Sequence, residues 1–162
     1  MVIRSIDQKD YSRLSEIYRQ GIETGIATFE TKVPDWQDWN AAHLPECRIA
    51  TFEGNVMTGW AALSPVSGRC VYAGVAEVSV YVAADFCGKG IGKVLLQELI
   101  KVSEKAGLWT LQAGIFAENT GNIKLHEYCG FRTIGFREKI GQLNGVWKDS
   151  VLMERRSKIV GL

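Results

Sequence analysis

Apolar positions along the chain follow two alternating periods, and the switches between them mark out its elements. Val2-Ile3-Arg4-Ser5-Ile6 has the β-rich make-up of a first strand. Tyr11, Leu14, Ile17, Tyr18 and Ile22 then recur at helical spacing, with Asp7 or Asp10 available as cap. Between residues 25 and 45 the period lapses into an irregular, aromatic segment carrying Phe29, Trp36 and Trp39, with a short helix predicted after Pro34. Residues 48–52 and 56–63 flank Glu53-Gly54-Asn55 and predict a hairpin. Val71-Tyr72 and residues 76–82 are again β-prone. Ile91, Leu95, Leu99 and Val102 form one helical stripe that ends near Gly107. Residues 109–116 predict a strand and 120–129 a helix closed by Gly130. Residues 131–140 and 146–154 predict a last hairpin across Asn144-Gly145. The order is antiparallel at both ends with a βαβ unit in the middle. It implies a mixed sheet covered by helices, an α/β (α+β) fold in a single domain spanning residues 1–162.

Composition narrows the class. The chain has 162 residues, 46% hydrophobic and 23% charged, which excludes disordered, collagen-like and coiled-coil chains. Nineteen Lys and Arg against eighteen Asp and Glu leave a formal charge of +1, too little for a broad field that grips nucleic acid or an anionic membrane. A small-molecule partner is therefore expected. The opening residues hold no apolar run of signal-peptide length, and the most apolar segment, 74–86, is interrupted by Glu77 and Asp85 and falls short of the roughly 20 residues of a membrane span. Cys47, Cys70, Cys87 and Cys129 are isolated and only two histidines are present, so neither a metal site nor a disulfide framework is expected, and a cytoplasmic location is.

The most specific segment is Phe86-Cys87-Gly88-Lys89-Gly90-Ile91-Gly92-Lys93-Val94, a glycine-rich turn from strand to helix. Free N–H groups and the positive dipole end of the helix make such a turn a seat for a diphosphate, although a glycine-rich helix start is also the plain reading. A P-loop is excluded because Cys87 stands where its first glycine belongs and Val94 where Ser or Thr belongs. A dinucleotide fingerprint is excluded because its third glycine would fall on Lys93 or Leu95. The segment resembles the Gln/Arg-x-x-Gly-x-Gly/Ala signature of the GCN5-related N-acetyltransferases, which cradle the pyrophosphate of acetyl-CoA; Cys87 replaces the usual Gln or Arg. Thr28-Phe29-Glu30-Thr31, Ala76-Glu77-Val78-Ser79-Val80-Tyr81-Val82 and Leu125-His126-Glu127-Tyr128-Cys129-Gly130-Phe131 resemble one branch of that family. It is the branch of phosphinothricin and methionine-sulfoximine N-acetyltransferases and their relatives that acetylate L-amino acids. The similarity runs from about residue 2 to the tail at Glu154-Arg155-Arg156-Ser157.

The resemblance implies a site. Gly88, Lys89, Gly90, Ile91, Gly92 and Lys93 would hold the diphosphate of acetyl-CoA, Val80, Tyr81 and Val82 would meet its acetyl carbonyl and pantetheine arm through their backbone, and Asn119 would cap a helix and touch the cofactor. Strand alternation puts Glu77, Ser79 and Tyr81 on one face and Ala76, Val78, Val80 and Val82 on the other. On that pattern alone Glu77 is equally a solvated glutamate; the resemblance implies the general base. His126 replaces a tyrosine that many relatives place near the sulfur, which leaves it as proton donor to the thiolate or as a substrate-orienting group. Asn119, Asn122 and His126 share a helix face by spacing. Arg69 and Tyr72 are implied for the acceptor's carboxylate; Phe29, Thr31 and Trp36 of the irregular segment are candidates for its apolar wall, with core packing an equal reading of the aromatic residues. Trp109 and Trp147 are read as packing or subunit contacts, and the branch implies a homodimer. Open alternatives are a polyamine, an aminoglycoside or a protein N-terminus as acceptor, or a domain that senses coenzyme A without turnover.

Overall fold

In the computed structural model, which describes residues 1–162, these patterns become β1 (Val2–Ser5), α1 (Tyr11–Glu23), α2 (Trp36–Ala42), β2 (Ile49–Glu53), β3 (Val56–Pro65), β4 (Val75–Val82), α3 (Ile91–Lys105), β5 (Thr110–Phe116), α4 (Thr120–Tyr128), β6 (Arg132–Leu143) and β7 (Val146–Arg156). The seven strands form one sheet in the order β1-β2-β3-β4-β5-β7-β6. Only β4 and β5 run parallel, as the crossover through α3 requires; every other pair is antiparallel. The β6–β7 hairpin turns at Asn144 (φ 50°) and Gly145 (φ 81°), the pair of left-handed residues that a two-residue turn between right-twisted strands demands.

One predicted strand is absent. Val71-Tyr72 lies in an exposed single 3-10 turn, Cys70–Tyr72, inside the β3–β4 connection. Pro65 already pairs with Ala76, so no strand edge remains for residues between them. β-propensity measures fit to a pleated, half-buried surface, and no such surface is available there.

Helices cover both faces of the sheet. Against one face, Leu95, Leu96 and Leu99 of α3 are fully buried with Ala61, Leu63, Ala113, Ile115 and Met153, and α4 joins this layer through Ile123 and Leu125. Against the other, Leu14 and Ile17 of α1 pack with Trp39 of α2 and with Met57 and Trp60 of β3. Each buried Leu or Ile side chain contributes about 1.5–3 kcal/mol over exposure, so these two stripes hold the helices in place. The alternation along β4 follows the sequence reading. Val78, Val80 and Val82 pack toward α3, while Tyr81 stacks on Trp60 at 4.9 Å on the α1 face.

The feature that makes a site is a divergence within the sheet. The β4–β5 ladder holds only Val75–Thr110, Ala76–Leu111 and Glu77–Gln112. Beyond it β4 stays paired to β3 as far as Val82, and β5 to β7 as far as Phe116. The edges that the two strands turn toward each other past Glu77 therefore have no partner strand, and the sheet opens as a wedge.

Candidate active site

The wedge is a cleft of about 610 Å³ lined along β4 from Glu77 to Val82, along β5 from Ala113 to Phe116, and by Asn119, Asn122, Leu125 and His126. Glu77 sits at its closed end, where the Gln112 amide donates to its carboxylate Oε1 at 3.2 Å. It is the one carboxylate among the lining residues, and Arg137 is the one guanidinium. Thr28 and Phe29 close the α1 side. Phe29 is held edge-on against Phe116 at 4.6 Å, and it also lies so close to Gly141 that a Cβ there would sit 3.0 Å from its Cζ. Tyr18 packs at a tilt against Tyr81, with ring centroids 4.9 Å apart. Burial, and then the neighbouring Tyr18, raises the Tyr81 phenol far above its ordinary value, so it stays a neutral hydroxyl.

His126 is 2% exposed and lines the cleft. Its Nδ1 lies 2.9 Å from the carbonyl oxygen of Asn122. A carbonyl only accepts, so Nδ1 carries the proton and donates it, which assigns the tautomer from the hydrogen-bond network. Nε2 is buried with no partner. Burial lowers the imidazole pKa, which keeps the ring neutral near pH 7. A neutral ring whose proton is committed to Asn122 is an acceptor at Nε2. It serves as an acid there only after taking up a proton. Asn119 occupies the cap position of α4, but its side chain makes no capping bond; Nδ2 donates to the Ile26 carbonyl at 3.3 Å and ties α4 to the segment that carries Phe29.

At the far end, Cys87 lines the cleft and leads into the glycine turn. Gly88 and Gly90 have φ of 78° and 80°, where a side chain is strained, and a Cβ on either would meet no protein atom within 4 Å. The first helical bond of α3 is from the Val94 N–H to the Gly90 carbonyl, and the amides of Gly90, Ile91, Gly92 and Lys93 find no acceptor in the protein. Four free donors beside open space fit a diphosphate at the positive end of the helix dipole. Ile91 presents only its amide to this space, because its side chain is buried. Lys93 donates to the Tyr128 hydroxyl at 2.9 Å, and Lys89 stands over the Phe86 ring at 5.2 Å.

Four sequence-derived assignments fall outside the cleft. Arg69 and Tyr72 are exposed and paired with each other, guanidinium to ring at 5.7 Å, and neither lines it. Thr31 is exposed and its place is taken by Thr28. Trp36 stacks on Trp39 at 5.8 Å in the α1–α2 layer. Arg137, Ile140 and Ser150 line the cleft without having been anticipated. Their signal lay in Gly135 and Gly141 inside a strand pattern, which mark the irregularities where the β6–β7 register shifts, between Thr133 and Gly135 and between Arg137 and Gly141. No helix is long and apolar enough to cross a membrane. No group of three or more His, Cys, Asp or Glu gathers in a metal-holding arrangement.

Comparisons with known proteins agree with this geometry. Residues 11–131 match the acetyltransferase (GNAT) family model. The phosphinothricin N-acetyltransferase of Alcaligenes faecalis is 33% identical over 161 residues, 94% of this chain and 81% of that protein. The L-methionine sulfoximine/L-methionine sulfone acetyltransferase of Salmonella typhimurium is 29% identical over 159 residues, 95% of this chain and 93% of that one. The crystal structure of a phosphinothricin acetyltransferase from Sinorhizobium meliloti in complex with acetyl-CoA superposes with a TM-score of 0.88 at 27% identity, covering 99% and 90% of the two chains. A sheet that opens past Glu77, free amides at the glycine turn and a match over most of the length converge: the chain belongs to the acetyltransferase (GNAT) family, in the branch of the phosphinothricin and methionine sulfoximine N-acetyltransferases.

Proposed function

We propose that the protein transfers the acetyl group of acetyl-CoA directly to the α-amine of a small amino acid or an analogue of the phosphinothricin, methionine sulfoximine or methionine sulfone type. The observation that carries this reading is the wedge itself. Its walls are unpaired strand edges, a single carboxylate stands at the closed end and four free amides lie beyond the open end. In this reading the diphosphate rests on the amides of Gly90, Ile91, Gly92 and Lys93, with Gly88 and Lys89 on the approach and Asn119 alongside. The pantetheine arm runs between β4 and β5, taking backbone bonds from Val80, Tyr81 and Val82.

The chemistry follows from what the cleft holds. An α-ammonium group has a pKa of about 8, so a modest base frees it near neutral pH. Glu77 takes that proton, directly or through a water. The amine nitrogen attacks the thioester carbonyl carbon, a C–N bond forms, and the oxygen gains charge that strand N–H groups stabilise by a few kcal/mol. The C–S bond breaks as the carbonyl re-forms, and the thiolate takes a proton. The nitrogen carries one surplus proton after attack; His126 takes it at Nε2 and passes it to the thiolate. Holding amine and thioester in contact supplies much of the remaining acceleration.

The lining charges favour an amino acid over the other acceptors. One carboxylate and one guanidinium suit a molecule bearing one charge of each sign, whereas a polyamine would find a single carboxylate. The reading extends to a cytoplasmic homodimer of single-domain chains, whose mass light scattering reads directly. Thiol release from acetyl-CoA, followed across free amino acids, the analogues named above, polyamines and peptides, tests the function. Turnover on amino acids or their analogues is expected. Turnover confined to polyamines or peptides overturns the acceptor class, and tight acetyl-CoA binding with no turnover on any amine would make the protein a sensor.

A further inference from the structure

We infer that Arg137 is the specificity residue of the acceptor site, receiving an oxyanion carried by the acceptor while the amine faces Glu77. The inference rests on the amino-acid reading above and adds a residue that no motif pointed to. Sheet register places Arg137. It pairs with Ser150 of β7, and Ser150 pairs with Phe116 of β5. Partners across an antiparallel ladder share a face. Phe116 follows Gln112 by four residues, an even number, so it points to the same side as Gln112, whose amide holds the Glu77 carboxylate. Arg137 is therefore on the face of the sheet that Glu77 occupies, farther along the same cleft.

The guanidinium is also uncommitted. Several cations of the same strands are paired: Arg132 with Glu154 at 2.8 Å, Lys148 with Glu118, and Arg155 at 3.7 Å from Glu104. Arg137 is exposed, lines the cleft together with Phe29, and makes no ion pair and no side-chain hydrogen bond. Its aim is built into the backbone. Directly after Arg137 the β6 register shifts, Lys139 takes a left-handed φ of 46°, and the Lys139 N–H is pinned to the Asp149 carboxylate at 2.8 Å. Bulges of this kind re-aim side chains beside active sites. A planar fork of donors matches a carboxylate or a phosphinate, and both are oxyanions that an amino-acid acceptor presents.

Steady-state kinetics of the wild type, Arg137→Gln and Arg137→Lys with L-methionine sulfone, its α-carboxamide and phosphinothricin decide the matter. Arg137→Gln is expected to lower kcat/KM by about 10- to 100-fold, chiefly through KM, for acceptors that keep the recognised oxyanion, with KM for acetyl-CoA unchanged. If the partner is the α-carboxylate, the loss appears with L-methionine sulfone and vanishes with its carboxamide. If it is a side-chain oxyanion, the loss is confined to phosphinothricin. Arg137→Lys retains part of the preference. Equal kcat/KM for wild type and Arg137→Gln on all three acceptors, or one uniform loss across them, overturns the assignment and leaves the acetyltransferase reading standing. A wild type that acetylates none of the three removes the amino-acid reading and this assignment together.

Discussion

Glu77, held by the Gln112 amide, and His126, buried with Nε2 unpartnered, are the two side chains of the cleft that single substitutions test most sharply. Glu77→Gln keeps the size of the side chain and its neighbour Gln112, so acetyl-CoA binding is expected to survive while turnover falls by about 10²–10⁴-fold. Unchanged turnover at neutral pH removes it as base. Both histidines are held neutral: burial lowers the pKa of His126 and of His43, the latter donating through Nδ1 to the Trp39 carbonyl at 2.7 Å. The unfolded chain then binds protons that the folded protein refuses, so stability is full above the ordinary value of 6.5 and is lost as pH falls through the window below it. The melting temperature is expected to drop between pH 7.5 and 5.5, and to drop less in His43→Phe; a flat or rising profile contradicts the assignment. The place of Glu77 and His126 in the cleft was legible because each stands in a motif. Arg69 and Thr31 lie outside the cleft because a loop residue's aim depends on packing, and Arg137 left only the indirect signal of the glycines beside the bulge that decides where it points.

Among the elements, α3 and its leading turn matter most. Its stripe was plain in the sequence, since Leu95 and Leu99 recur at helical spacing and both are fully buried. The glycines before it have a backbone reason at Gly90, whose φ of 80° costs a residue with a side chain about 1–2 kcal/mol. Gly90→Val is therefore expected to fold with a loss of that order by urea denaturation and to lose acetyl-CoA binding by calorimetry, because its side chain enters the space beside the free amides. Retained affinity in a folded variant contradicts the cradle. The turn at Cys70–Tyr72 shows the opposite case, where β-prone residues had no strand edge to join.

For the whole molecule, the order of elements and the mixed character of the sheet followed from periodicity, capping and turn residues. The wedge did not. Residues 78–82 read as ordinary strand, and nothing local records that their partner on one side leaves after Glu77. The divergence arises because β4 follows β3 and β5 follows β7, a property of four strands from distant parts of the chain. That divergence is the centre of the account, since it exposes backbone donors and acceptors to an extended ligand and sets a carboxylate at the vertex. A crystal structure of the protein with coenzyme A tests it most directly. The diphosphate is expected on the amides of residues 90–93, the pantetheine arm between β4 and β5, and the thiol between Glu77 and His126. A coenzyme lodged elsewhere, with β4 and β5 closed on each other past Glu77, would contradict it.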